Sequence, residues 1–376
     1  MARTETVAEL PGSPPPAGRT ASELLAWVFR LLISLVVPVV AFIVLYAGFI
    51  FLRDSDAPKL VIAAVAIIWG VGGVAMLFVL SNWVVERLPD VWRLRIQPFV
   101  FIGPGLIMLS WFLAVPVVRT FYQSMFDRTS NNFVGFANYA YAFTAPSMQE
   151  SFRNNVLWMI VGTGLSVIFG LLIAVLADRS SFESLAKALI FLPMAISFVG
   201  AGIIWKFVYA LSPGDTQIGL LNAIVTGLGG EKVGWLVERP WNNFFLIIIM
   251  VWLQTGFAMV LLSAALKGVP GELLEAARID GANEFQIFFR VIIPTIQATI
   301  ITVATTIVIA TLKIFDIVFV MTNGNFGTEV MASQQYKQMF RFQDFGRGSA
   351  VAIILLIAVI PVMIYNLRQF RDRRAF

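Results

Sequence analysis

The sequence has no cysteine and no histidine, and only 13% of its 376 residues are Asp, Glu, Lys or Arg. Without thiols there is neither a disulfide framework nor a sulfur nucleophile. Without imidazole the commonest metal ligand and acid–base group are gone as well. An enzyme is disfavoured on that ground. The phosphate cradle G-x-x-x-x-G-K-[ST] is missing too, and no Gly-Lys pair occurs anywhere. A chain without it is not expected to hydrolyse ATP itself. No basic cluster suggests nucleic acid. Soluble domains carry about a quarter charged residues, so the shortage here points to lipid.

What is present is apolar: 59% of the residues are hydrophobic. About 20 such residues in a row cross the hydrocarbon core. By that measure eight spans are expected, at 31–52, 60–85, 98–118, 156–177, 188–211, 244–266, 294–314 and 348–367. The fold class is all-α, a polytopic membrane helix bundle. Residues 1–22, with "PGSPPPAG", read as a flexible tail rather than a secretory signal, because the apolar run that follows is too long for one. None of the spans holds Asp or Glu, and only Lys206 and Lys313 intrude, both near span ends. Intramembrane acids mark proton and ion pathways, so an ion-coupled carrier and a strongly charged cargo are both disfavoured. Lys313 and Asp316, three apart, are expected to pair at the interface.

Cations set the orientation. With the N-terminus inside, the cytoplasmic segments hold 15 Lys and Arg in 88 residues, against 10 in 109 for the outer loops. Both termini are then cytoplasmic, and so is "EAARIDGANEFQIFFRVIIP", residues 275–294. Pro270 and Gly271 start a helix there, with Leu273, Ala276 and Ala277 on one face. Gly281 suits a left-handed stop. Asn283 and Gln286 form a variant capping box, followed by an apolar stripe of Phe285, Phe288, Phe289 and Ile292. Pro294 is expected in the first turn of the next span. An interfacial helix resting on headgroups is one reading. Glu272, Glu275, Asp280 and Glu284 argue instead for a protein partner, since acids do not favour an anionic leaflet.

Midspan polar groups are neutral: Gln254, Thr255 and Phe257 beside Gly256, then Thr302, Thr305 and Thr306, and Ser197. Hydroxyls, amides and rings suit a sugar. Each Ser or Thr could equally bond its own helix.

Glu275-Ala276-Ala277, then Gly281, then Val291-Ile292-Ile293-Pro294 resembles the EAA signature of permease subunits of bacterial ABC importers. "FVGFANY" (133–139), "FLP" (191–193) with Trp205, and "IFDIVFVMTNG" followed by "FGRGSA" are similar to motifs of the carbohydrate branch. "NGNFGTEV" departs from the usual Gly-Gly-Pro segment, which points toward an α-glucoside subfamily.

The resemblance implies a six-helix core over 98–372, with two extra helices in 23–97 as in maltose-type permeases. The loop 267–293 becomes the coupling helix, with Glu275, Ala276, Ala277, Asp280, Gly281 and Pro294 serving the ATPase contact. The implied partners are a second permease, two ATP-binding cassette subunits that hold ATP and Mg, and an extracytoplasmic solute-binding protein. This chain would hold no cofactor. The location implied is the inner membrane, and the cargo a neutral sugar or oligosaccharide such as maltose or trehalose, moved by alternating access. A stand-alone secondary transporter or channel is the alternative reading.

Overall fold

A backbone in lipid finds no water to bond, so each apolar run must close its hydrogen bonds within itself. The computed structural model describes residues 21–86, 90–214 and 217–372. Regular structure among the described residues is helical, apart from one antiparallel bridge between Phe126 and Phe133. In chain order the helices are α1 (Ala21–Asp54), α2 (Lys59–Val85), α3 (Arg93–Gln123), α4 (Ala137–Thr144), α5 (Pro146–Asp178), α6 (Glu183–Ala195) and α7 (Phe198–Val208). There follow α8 (Leu220–Gly227), α9 (Trp241–Lys267), α10 (Gly271–Ile279), α11 (Glu284–Leu312), α12 (Asp316–Met321), α13 (Met331–Tyr336) and α14 (Phe345–Asp372).

Six of these, α2, α3, α5, α9, α11 and α14, are long and apolar enough to cross a membrane. The other two expected spans differ. The run 31–52 lies within α1, some of whose side chains fall outside the described residues. The run 188–211 is no straight helix: α6 and α7 meet at 101°. Its composition is apolar on both sides of the bend, so hydropathy could not reveal it. The cause is local. Pro193 sits in a tight 3₁₀ turn, Leu192–Ala195, that ends α6. The Ser197 hydroxyl then accepts the Gly200 N–H at 3.0 Å and caps a new helix.

The chain divides into two units at the Pro116–Val117 bond. In the first, the Trp69 indole donates to the Leu45 carbonyl at 3.0 Å, joining α1 to α2. Phe78 of α2 stacks on Phe101 of α3.

In the second unit α9 is the central column. A helix that is apolar on every side is a buried one, and 61% of its membrane-length window is buried, more than in any other candidate span. Leu246, Ile249, Met259 and Leu262 are fully enclosed there, against Val303 and Ile307 of α11 and Ile317 and Val318 of α12. Two glycines set the approach of its neighbours. A Cβ on Gly170 of α5 would lie 2.5 Å from Ala258 Cβ, and one on Gly256 of α9 would lie 2.6 Å from the Ile190 carbonyl oxygen of α6. Small residues at such crossings let helix backbones meet. A smaller core of Ala142, Met148, Met331, Val351 and Ile354 joins α4, α5, α13 and α14.

Candidate coupling loop and transport pathway

The loop between α9 and α11 is built as its residues dictate. Gly281 takes φ +81°, where a Cβ would be strained, and its N–H bonds the Arg278 carbonyl at 3.0 Å. Ala282 N–H reaches back to Ala277 at 3.0 Å, which closes α10 in the manner of a Schellman cap. The expected capping box is complete. Asn283 Oδ1 accepts the Gln286 N–H and Gln286 Oε1 accepts the Asn283 N–H, both at 2.9 Å. Arg278 pairs with Glu284 across the turn at 3.3 Å.

As expected, Asn283 caps a short α segment, Glu284–Ile287, and Pro294 sits in the first turn of the next one, Ile293–Leu312. The two are joined without a break, so that α11 runs from Glu284 to Leu312. A π turn at Phe288–Ile292 immediately precedes the proline. Widening the helix there accommodates a residue with no N–H to give. The lever is therefore one piece with its membrane column.

The loop's outward face is uncovered. Glu272, Glu275, Ala276 and Asp280 are exposed and Ala277 is half-buried. Ile279 and Phe285 are 86% and 78% exposed. Acids and bare apolar side chains thus share one exposed surface.

At the root of the loop lies a charge cluster that hydropathy reading passed over. Lys187 of α6 contacts Asp178 at the end of α5, Ser263 of α9, and Glu183 at 2.6 Å. Ser263 Oγ donates to Asp178 at 2.7 Å, and Lys267 reaches Glu183. Three helix ends are tied together beside α10. The signal in the sequence is weak, because the partners are scattered from Asp178 to Lys267.

The midspan candidates separate. Thr302 Oγ1 donates to the Ala298 carbonyl at 2.8 Å, Thr305 to Ile301 at 2.9 Å and Thr306 to Thr302 at 2.8 Å, all within their own helix. Ser197 is the cap described above. Thr255 is buried and donates to Val251 at 2.7 Å, and it lines a cavity of about 580 Å³ between α5, α6 and α9 together with Trp252. Phe257 packs half-buried on the core. Gln254 is half-buried, and its amide has no hydrogen-bond partner among the described residues. The expected Lys313–Asp316 pair does not form among the described residues. Lys313 caps α11 with φ −105° and Asp316 starts α12, so helical i, i+3 spacing does not hold between them.

α9 has 27 residues and is about 40 Å long at 1.5 Å per residue, so its two ends lie far apart. At the end away from the coupling loop, four asparagines hold one loop. Asn154 donates to the carbonyls of Gly327 and Glu329, Asn155 to that of Leu312, Asn242 to Phe326 and Asn243 to Gly327, at 2.8–3.0 Å. Asn155 Oδ1 also accepts the Met331 N–H at 2.8 Å. Beside it, Asn138 donates to the carbonyls of Ser124 and Phe126 at 2.9 and 2.7 Å. The backbone of Gly346 fits against that carbonyl, leaving no room for a Cβ.

Residues 166–376 match the model of the binding-protein-dependent transport system inner membrane component family. The chain belongs to that family. The permease is 59% identical over 273 residues to the osmoprotective compounds uptake permease protein GgtC of Synechocystis sp., covering 72% of this chain and 98% of that one. It is 51% identical over 276 residues to the alpha-glucoside transport system permease protein AglF of Rhizobium meliloti, covering 73% and 82%. In fold the permease is similar to a chain in the crystal structure of a bacterial ABC transporter involved in the import of the acidic polysaccharide alginate. There the TM-score is 0.63 and the identity 19%, over 75% of this chain and 99% of that one. It is a multi-pass protein of the inner membrane.

Proposed function

We propose that the permease is the membrane subunit of an ATP-driven importer for neutral sugars or glycosides, the α-glucosides among them. One observation carries the reading: a rigid, acid-rimmed lever, closed by Gly281 and the Asn283–Gln286 box, is continuous with α11 and exposed at its tip. Such a part has a purpose only if something pushes it. The chain has no phosphate cradle, so the push comes from two ATP-binding cassette subunits that hold ATP and Mg. The relatives that transport an alpha-glucoside and osmoprotective compounds, together with the acid-free spans, support a neutral cargo.

The rest of the assembly follows from the same reading. A second permease completes the pathway, and a solute-binding protein delivers cargo at the asparagine-held end. The chain crosses the membrane eight times with both termini in the cytoplasm, α1 and α2 being additions to a six-helix core over 98–372. Force on Glu275 and its neighbours tilts α9 and α11 and alternates access to the midspan residues. In the assembled transporter, Glu275→Lys is expected to abolish sugar-stimulated ATP hydrolysis while the binding protein's sugar affinity stays unchanged. Stimulation at the unsubstituted level rejects the coupling role.

A further inference from the structure

We propose a second carbohydrate site on this permease, beside the loop 322–330 and separate from the midspan residues; it rests on the sugar-import reading. A cavity of about 310 Å³ is lined by Phe319, Asn323, Tyr336, Lys337, Phe340 and Arg341. One wall is aromatic. Tyr336 lies 5.2 Å from Phe319 and 5.2 Å from Phe340, ring centre to ring centre, and Phe315 backs the wall by stacking on Phe319 at 4.9 Å.

The polar groups around that wall are idle. The side-chain amide of Asn323, the hydroxyl of Tyr336 and the guanidinium of Arg341 have no hydrogen-bond or ion-pair partner among the described residues. Lys337 is engaged by the buried carboxylate of Glu329. Asn323 is also held in place. Its φ is +52°, and the next N–H, of Gly324, bonds the Thr322 hydroxyl at 3.2 Å. That hydroxyl meets Thr328 at 2.6 Å, and the asparagines pin the strand of chain beyond. A donor fixed before binding costs little to order.

The chemistry selects the ligand. Rings take the C–H face of a sugar, and an amide, a phenol and a guanidinium take its hydroxyls. A quaternary ammonium solute would also like the rings, but the Arg341 guanidinium, which has no ion-pair partner among the described residues, repels it. A simple anion would use Arg341 and leave the aromatic wall idle. The volume is at the lower end of the 300 to 1,000 Å³ range typical of small-molecule sites, which suits a short glycoside rather than a polymer. Its place near the asparagine-held loop makes it a receiving site, where cargo rests before it enters the midspan.

Because the chain has no cysteine, Phe342→Cys gives this subunit one addressable thiol next to Arg341, at a residue that is 48% exposed and does not line the cavity. The complete transporter carrying it is reconstituted in vesicles, and alkylation of this chain by an impermeant maleimide is followed by its gel shift, with trehalose or betaine present. Uptake of radiolabelled trehalose is measured on the same vesicles. Trehalose should slow alkylation several-fold and betaine should not, and adding Asn323→Gly, which keeps the left-handed backbone, should remove the protection. Uptake without protection overturns the site and leaves the import reading standing. Equal protection by betaine, protection that survives Asn323→Gly, or a thiol that never reacts also overturns the site. Vesicles that take up no trehalose overturn the import reading, and the site falls with it.

Discussion

Asn154 and Gly327, 173 positions apart, are joined by one buried hydrogen bond: the Asn154 amide donates to the Gly327 carbonyl at 2.9 Å. The same amide also holds the Glu329 carbonyl at 2.8 Å, so one side chain serves two backbone acceptors of the loop. Phe326 and Gly327 both take positive φ there. Asn154→Leu would leave the Glu329 carbonyl buried and unpaired, while the Gly327 carbonyl keeps the Asn243 amide at 3.0 Å. Such a loss costs about 1–3 kcal/mol, so the thermal midpoint of the purified complex is expected to fall. An unchanged midpoint would show that water or another donor takes over.

The sequence carries some of these features and hides others, for physical reasons. Apolar runs announce helices because lipid leaves the backbone no alternative. The Asn283–Gln286 box and the Gly281 stop are legible because a cap is local chemistry, complete within four residues. The break at Ile196–Ser197 is hidden from hydropathy because both flanks are equally apolar, and its marks are only local: Pro193 in the turn that ends α6 and the Ser197 hydroxyl that caps α7. The asparagine contacts are hidden because their partners are backbone carbonyls more than 80 positions away, which leave no trace in composition. The paired motifs Asn154-Asn155 and Asn242-Asn243, each at the mouth of an apolar run, were the one available clue.

Gly281 tests the lever's aim. A left-handed conformation costs an L-residue about 1–2 kcal/mol, and asparagine less than most. Gly281→Val is therefore expected to misdirect α10 and weaken sugar-stimulated ATP hydrolysis severely, whereas Gly281→Asn should weaken it mildly, with assembly intact in both. Hydrolysis rates that do not rank Gly above Asn above Val would mean that the turn does not set the coupling geometry.

Asp127 ties a loop to pH. Its carboxylate accepts the Asn132 amide at 2.7 Å, the Asn131 N–H at 3.0 Å and the Thr129 hydroxyl at 3.1 Å. These bonds, that of Asn132 foremost, lower its pKa from 3.8 to about 2. A carboxyl whose pKa is lower in the folded chain stabilises it fully above the unfolded value, and the contribution fades as pH falls through the folded one. Amide protection at Thr129 and Asn131 should therefore persist to about pH 4 and decline between there and pH 2. Asp127→Asn should remove that decline. Hydrogen exchange followed by mass spectrometry reads both, and a decline centred near neutral pH would contradict the assignment.

Gln254 carries the sharpest test of the pathway. It stands near the middle of the most buried helix, and its amide has no partner among the described residues. A side-chain amide that serves packing alone would be expected to bond a neighbour, because an unmet polar group in an apolar setting is costly. An amide that serves cargo has to stay free until cargo arrives. Gln254→Leu keeps the volume and removes the donor and acceptor, so helix packing should be unaffected or improved. The loss of one hydrogen bond to passing sugar is worth about 1 kcal/mol, which corresponds to about a fivefold lower uptake rate. Transport in vesicles and complex yield are measured together. Reduced uptake at full yield places the amide on the route, reduced yield at full specific uptake makes it a packing residue, and no change in either moves the route to other helices.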